Sequence, residues 1–247
     1  MEVHHHAVSP KGKKHFKHYL FDFLMLFLAV TLGFFVENMR EHAVENKREK
    51  QFIRSFTEDL KNDITQLESL TQKREEKAVW FDSLTLLLNT PDPDQYGNQI
   101  YFYSRYLPRP YVFYNNDATI QQLKYAGNLR LIRNTAAADS ILAYDRQFRF
   151  IDAIRTREES LVQRIFNSLN KLFDPAVFDK LITYDIEFVR PAGNPKLLTK
   201  DKAVIQNFLS DIHYLKTVNI AQVGWFKRQT ERARSTLAFL QKEYDLK

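Results

Sequence analysis

The chain contains no cysteine. That one absence removes disulfides, thiolate metal ligands and thiol nucleophiles together. Glycine is scarce, six in 247 residues, and no two lie within five positions of each other. A phosphate-cradling loop needs clustered glycines to let backbone N–H groups approach the anion, so neither a Walker loop nor a dinucleotide fingerprint can be assembled. Beyond residue 18 the only histidines are His42 and His213, and neither belongs to an HxxxH or HExxH pattern. No Gly-x-Ser-x-Gly elbow occurs. The carboxylate clusters Glu58/Asp59/Asp63 and Glu158/Glu159 are interspersed with lysines and arginines, which reads as surface pairing. Acid–base catalysis asks instead for a buried pair in a cleft. No catalytic, cofactor-binding or metal-binding residue is assigned, and the chain is read as a non-enzyme without a cofactor.

Charge of one sign is not concentrated either. The formal net charge is +6, and Lys11, Lys13, Lys14 and Lys17 hold part of it against Glu2. The rest is a mixed surface, unlike the dense basic patch of a nucleic-acid binder. Lys227, Arg228, Arg232 and Arg234 give the last helical stretch a basic face. In the cytosol such a face would suit nucleic acid or anionic lipid, and outside it a protein partner. The run His4-His5-His6 in the basic tail 1–18 has no neighbouring groups to fix a metal geometry.

What the chain has in abundance is one apolar run. Residues 19–36 read YLFDFLMLFLAVTLGFFV, with Asp22 the single charge. A helix of that length reaches about 27 Å, close to a bilayer core of roughly 30 Å. This predicts one transmembrane helix, and the absence of a small-x-small site after Val36 favours an uncleaved anchor. The compact lysines before it favour an N-terminus inside, although Arg40, Lys47, Arg48 and Lys50 follow closely. Within the span Asp22, Leu26, Ala29 and Gly33 share one face. Ala29 and Gly33 form a small-xxx-small pair that admits a second helix. Asp22 is either a partner or proton contact, or an interfacial residue beside His18 one turn back.

From 37 to 51 the pattern is helical but lacks an apolar stripe, and Glu37, Glu41, Glu45 and Glu49 line one face. Such a helix is read as a solvated stalk. The stripe returns at Phe52, Phe56, Leu60, Ile64 and Leu67 and resumes at Phe81, Leu84 and Leu88. No proline intervenes between Lys11 and Thr90, so anchor, stalk and first bundle helix are expected to be nearly continuous. Residues 91–116 form an irregular Pro/Tyr-rich segment. Its Tyr101, Tyr103, Tyr106, Tyr111 and Tyr114 either make a ligand or partner surface or pack inward with their hydroxyls outward. Later stripes run through 135–173, capped by Asn134, and through 199–244, with a break expected near Lys216 to Asn219. Asp174-Pro175 opens a short turn between them.

Gly127-Asn128 closes a short helix from Asp117, because both residues tolerate a left-handed backbone. The order Leu123-Lys124-x-x-Gly127-Asn128-Leu129-x-Leu131-Ile132, the helix reaching Tyr144, and EDLKNDITQLESL at Glu58–Leu70 resemble a recurring block. That block belongs to an uncharacterised family of single-pass membrane proteins common in Bacteroidota. The resemblance implies an envelope protein with a helical extracytoplasmic domain and carries over no catalytic residue.

The sequence therefore predicts an all-α protein: a tail (1–18), a transmembrane helix (19–36), a stalk (37–51) and a helical bundle (52–247) in the periplasm of a bacterial inner membrane. The expected function is a scaffold or accessory subunit that binds another membrane or periplasmic protein or a second copy, with no nucleic-acid partner. The alternative is a ligand-binding, sensor-type module using the tyrosine-rich segment.

Overall fold

The computed structural model describes residues 14–125, 127–182 and 189–246. The reading of 1–18 as a tail therefore falls largely on residues 1–13, outside the described residues, as does His4-His5-His6. From Lys14 onward the chain is helical, which shortens the expected tail. The order is α1 (Lys14–Leu88), a 3-10 turn (Pro93–Tyr96), α2 (Gly97–Tyr106), α3 (Ala118–Tyr125), a second 3-10 turn (Asn128–Leu131), α4 (Thr135–Leu172), α5 (Pro175–Asp179) and α6 (Lys202–Glu243). Among the described residues there is no β-strand, and the protein is all-α.

Two compact units divide the chain, Met1–Gln51 and Phe52–Lys247. In the first, the side chains from Phe16 to Val36 are all exposed. By length and composition this part of α1 can cross a membrane. Beyond it, Arg40 Nε donates to Glu37 at 2.9 Å, an exposed pair one turn apart.

The second unit is built on three long helices. Phe56 meets Tyr144 edge-on at 6.0 Å, and further along Arg74 meets Glu158 at 2.8 Å, so α1 and α4 run in the same direction. Asn219 sits beside Arg74, whereas Ala233 and Leu240 lie in the layer of Phe56, so α6 runs the opposite way. Residues 89–134 must then carry the chain back along the bundle to start α4. They form a fourth wall in three pieces. α2 packs Ile100 and Tyr101 into the layer of Phe81 and Leu84, the extended 111–116 stretch places Phe113 beside Leu67, and α3 brings Ile120 and Leu123 to the layer of Phe56.

Local chemistry explains the helix limits. Asn134, Asp174 and Asp201 each accept an N-terminal backbone N–H of α4, α5 and α6 through their side chains. Gly127 adopts φ +65°, a left-handed turn that a side chain would strain. Two expectations are corrected. The segment 91–116 is not irregular throughout: between Gly97 and Pro108 no breaker occurs, and α2 forms there. α6 does not break at Lys216 to Asn219, because Val218 and Asn219 are buried and Thr217 Oγ1 bonds back to the His213 carbonyl at 3.0 Å. Tertiary burial overrides weak intrinsic propensity there.

The loop before α6 is clamped onto α2. Asn98 N donates to Asn194 Oδ1 at 3.1 Å, Asn98 Nδ2 to Pro191 O at 2.5 Å and Tyr101 OH to Lys196 O at 2.9 Å. Gly97 makes the close approach possible: a Cβ there would stand 2.1 Å from Pro195 O and 2.9 Å from Asn194 C. Gly97→Ala is therefore expected to destabilise the full chain by about 1–3 kcal/mol. An unchanged urea midpoint in detergent would refute this account of the clamp.

Candidate functional site

The apolar interior of the bundle falls into three layers, centred on Phe56, Phe113 and Phe81. Between them α1 turns polar side chains inward. The stripe that reads Leu60, Leu67, Phe81 and Leu84 also includes Asp63, Arg74 and Lys77, all buried. Each sits opposite the non-helical part of the fourth wall, and this is the physical reason for its presence. An extended segment inside a bundle brings backbone N–H and C=O groups that no helix ladder satisfies, and leaving them unpaired would cost heavily.

Arg74 does most of this pairing. Its Nη1 and Nη2 donate to the Glu158 oxygens at 2.9 and 2.8 Å, Nη1 donates again to Asn219 Oδ1 at 3.2 Å, and Nε and Nη2 reach the Tyr111 carbonyl at 3.2 and 2.6 Å. All five guanidinium N–H groups are thereby used. Asn219 Nδ2 donates back to the Arg74 carbonyl at 2.9 Å. Arg74 and Glu158 are 1% and 2% exposed. The space beside them amounts to about 10 Å³, room for at most one water.

One turn on, Lys77 Nζ donates to the Arg109 carbonyl at 2.9 Å and faces the rings of Phe81 and Tyr111. Burial pushes its amine down to about 7, with Glu158 opposing the shift and Arg74 adding to it. At the other end, Asp63 accepts from Tyr144 OH at 2.5 Å and from both Asn116 N and Nδ2 at 2.8 Å. Burial raises the Asp63 carboxyl despite these donors, and burial beside Asp63 raises the Tyr144 hydroxyl. Gln66 completes the set, exchanging two bonds with the Tyr114 backbone at 3.0 and 2.8 Å, as a neighbouring strand would.

This arrangement corrects the surface reading of Asp63 and Glu158. The sequence signal was present in the gap between Leu67 and Phe81, where Arg74 and Lys77 occupy stripe positions at helical spacing. The tyrosines fare unequally. Tyr101 is fully buried, its OH accepting from Asp174 N at 3.0 Å, and so is no ligand surface. Tyr103 and Tyr106 are half-buried and join Trp80 and Phe102 in one aromatic cluster, with Trp80 and Tyr106 4.7 Å apart. Arg190 lies 4.8 Å above Phe102 at its edge. Tyr111 OH donates to Tyr106 OH at 3.1 Å, whereas Tyr114 is 72% exposed. Gly127 and Asn128 form the turn after α3, where Asn128 Nδ2 donates to Gln122 O at 3.3 Å. In the other unit, His18 Nε2 stands 3.8 Å from Asp22, and a Cβ added at Gly33 would meet nothing within 4 Å. Among the described residues no group of His, Cys, Asp and Glu has a metal-binding arrangement.

Two outcomes follow from the buried cations. Glu158→Leu leaves Arg74 charged and half-paired, at an expected cost of about 3–5 kcal/mol. Adding Arg74→Met should recover only part of that, because the Tyr111 carbonyl and Asn219 lose their donors; full recovery in a double-mutant cycle would refute the role given to the backbone contact. For Lys77, the folded state sheds its proton near pH 7 while the unfolded chain keeps it up to about 10.5. The unfolded state then binds more protons between those values, so stability should rise with pH across that window. Lys77→Met should flatten the rise, measured by urea midpoints in detergent from pH 7 to 10. Compared with known proteins, the chain matches no family model, no curated sequence and no solved structure.

Proposed function

We propose that the protein is a membrane-anchored, non-enzymatic scaffold or accessory subunit. Residues 19–36 would span a bacterial inner membrane, the N-terminus would be cytoplasmic, and the bundle would stand in the periplasm. The observation that carries this reading is the exposed run from Tyr19 to Val36, apolar but for Asp22, which precedes a separate compact unit. Water would not tolerate a helix apolar on all faces, whereas a bilayer or a partner helix would. The face bearing Ala29 and Gly33 is open to close helix approach, and Asp22 lies on it near the start of the span. Support for a binding rather than catalytic role comes from where the titratable groups point. Arg74, Lys77, Glu158, Asp63 and Tyr144 face one another and the backbone. The resemblance to the single-pass family of Bacteroidota is part of the same proposal.

A second reading keeps a specific observation: the half-buried cluster of Trp80, Phe102, Tyr103 and Tyr106 offers aromatic surface for a ligand. In that reading the bundle is a sensor-type module.

One labelling experiment tests location. Ser69→Cys and Ser9→Cys variants of the cysteine-free chain are exposed in whole cells to a membrane-impermeant maleimide. Labelling at 69 alone is expected; labelling at 9 alone would invert the topology, and recovery of the protein in the soluble fraction would end the anchor reading. In detergent extracts of cells, Ala29→Leu with Gly33→Leu should reduce co-purification of the membrane partner, and unchanged recovery would remove that face from the proposal.

A further inference from the structure

The two flanks of α6 differ in how their cations are used. Toward α1 they are matched: Arg234 with Glu68 at 2.5 Å, Lys227 with Glu75 at 2.6 Å, and Lys216 with Asp82. Toward α4, Arg228 and Arg232 are not, although one heptad past Arg157 the α4 residue Arg164 pairs with Asp211 of α6 at 2.7 Å. Trp225, Arg228 and Arg232 form one stripe of α6, at spacings of three and four, and Arg146, Phe150 and Arg157 form one stripe of α4, at four and seven. The rings join the stripes. Phe150 stacks on Trp225 with centroids 5.5 Å apart and planes 7° from parallel, and Arg228 Cζ lies 4.1 Å from the Trp225 centroid. Among the described residues no carboxylate pairs with Arg146, Arg157, Arg228 or Arg232. Glu231, on the rim of the shallow groove beside Gln147 and Arg228, is engaged by Arg234 at 2.9 Å. Asp139, two turns before Arg146, is the nearest carboxylate along the α4 stripe.

We propose that this face docks a carboxylate-rich segment of a partner protein, with acidic side chains bridged by the four guanidiniums and an apolar side chain seated on Phe150. The inference rests on the scaffold reading and deepens it by naming the surface and the partner's chemistry. Guanidinium forks bind carboxylates two bonds at a time, and a cluster of unpaired cations both steers an acidic partner and rejects a basic one. Phe150 is 54% exposed, a flat anchor in the middle of the charges, as interface centres favour. With α4 and α6 antiparallel, Arg157 and Arg232 lie about 10 Å to either side of the ring pair, so the four arginines span about 20 Å, a length that roughly six residues of extended peptide cover.

The test uses the full chain in phosphatidylcholine nanodiscs, titrated with a fluorescein-labelled synthetic peptide alternating glutamate and leucine. A lysine–leucine peptide serves as the control. Binding that weakens with salt is expected for the acidic peptide alone. Arg146→Glu with Arg228→Glu should weaken it at least about tenfold with an unchanged melting curve. Lys73→Glu with Lys180→Glu, the same change in net charge off both stripes, should leave it intact. The proposal is overturned if the parent does not bind, if R146E/R228E binds as well as the parent, or if the lysine variant loses binding equally. It is overturned in favour of lipid or nucleic acid if phosphatidylglycerol vesicles or a single-stranded oligonucleotide bind through these arginines and the peptide does not. A chain that fails to enter nanodiscs at all would instead count against the anchor reading.

Discussion

The bundle depends on a single guanidinium. Arg74 joins four segments, since it lies on α1 and its donors reach Glu158 of α4, Asn219 of α6 and the Tyr111 carbonyl in the fourth wall. A fourth helix would have needed no such partner, because its own ladder would satisfy its backbone. The chain instead crosses the bundle in an extended stretch, and the interior must supply donors and acceptors at the right heights. Arg74, Lys77, Gln66 and Asp63 do this from one side of α1. The desolvation that such burial costs is offset only because every group finds a partner.

The polar belts also decide what the apolar layers cannot. Leucine and phenylalanine layers are tolerant of sliding by a heptad, since one apolar residue replaces another. A slide of α1 by seven residues would put Phe81 where Arg74 stands and leave Glu158 facing a ring. The register of α1 against α4 and α6 is therefore specified by charge and hydrogen bonding, and the apolar layers supply the driving force.

Much of the fold was legible because it rests on local rules. The long proline-free start of α1, the cap at Asn134, the turn opened by Asp174-Pro175 and the left-handed Gly127 each follow from local side-chain and backbone preferences. The belts were less legible because a lysine or glutamate at a stripe position reads as a gap in the stripe. Only the presence of an extended neighbour with unpaired carbonyls turns it into a buried partner, and that neighbour is distant in sequence. The same non-locality hid the continuity of α6, where Asn219 is held by Arg74 from 145 residues away. It also hid the fate of Tyr101, whose ring is enclosed by Phe173 and Phe178 from beyond α4. Surface features such as the unmatched arginines of α4 and α6 could be seen as charges in the sequence, but their lack of carboxylate partners emerges only from packing.

The keyed register has a mechanical meaning. Helices held by apolar seams alone can creep past one another under load in small steps, each nearly equal in energy to the last. Here the first step along the axis would shear Arg74 and Lys77 away from every acceptor at once and drag Asp63 from its donors. Such a joint is stiff up to a threshold and then fails abruptly, so a pull on α1 within the bundle would be passed on to α4 and α6 rather than absorbed by slippage.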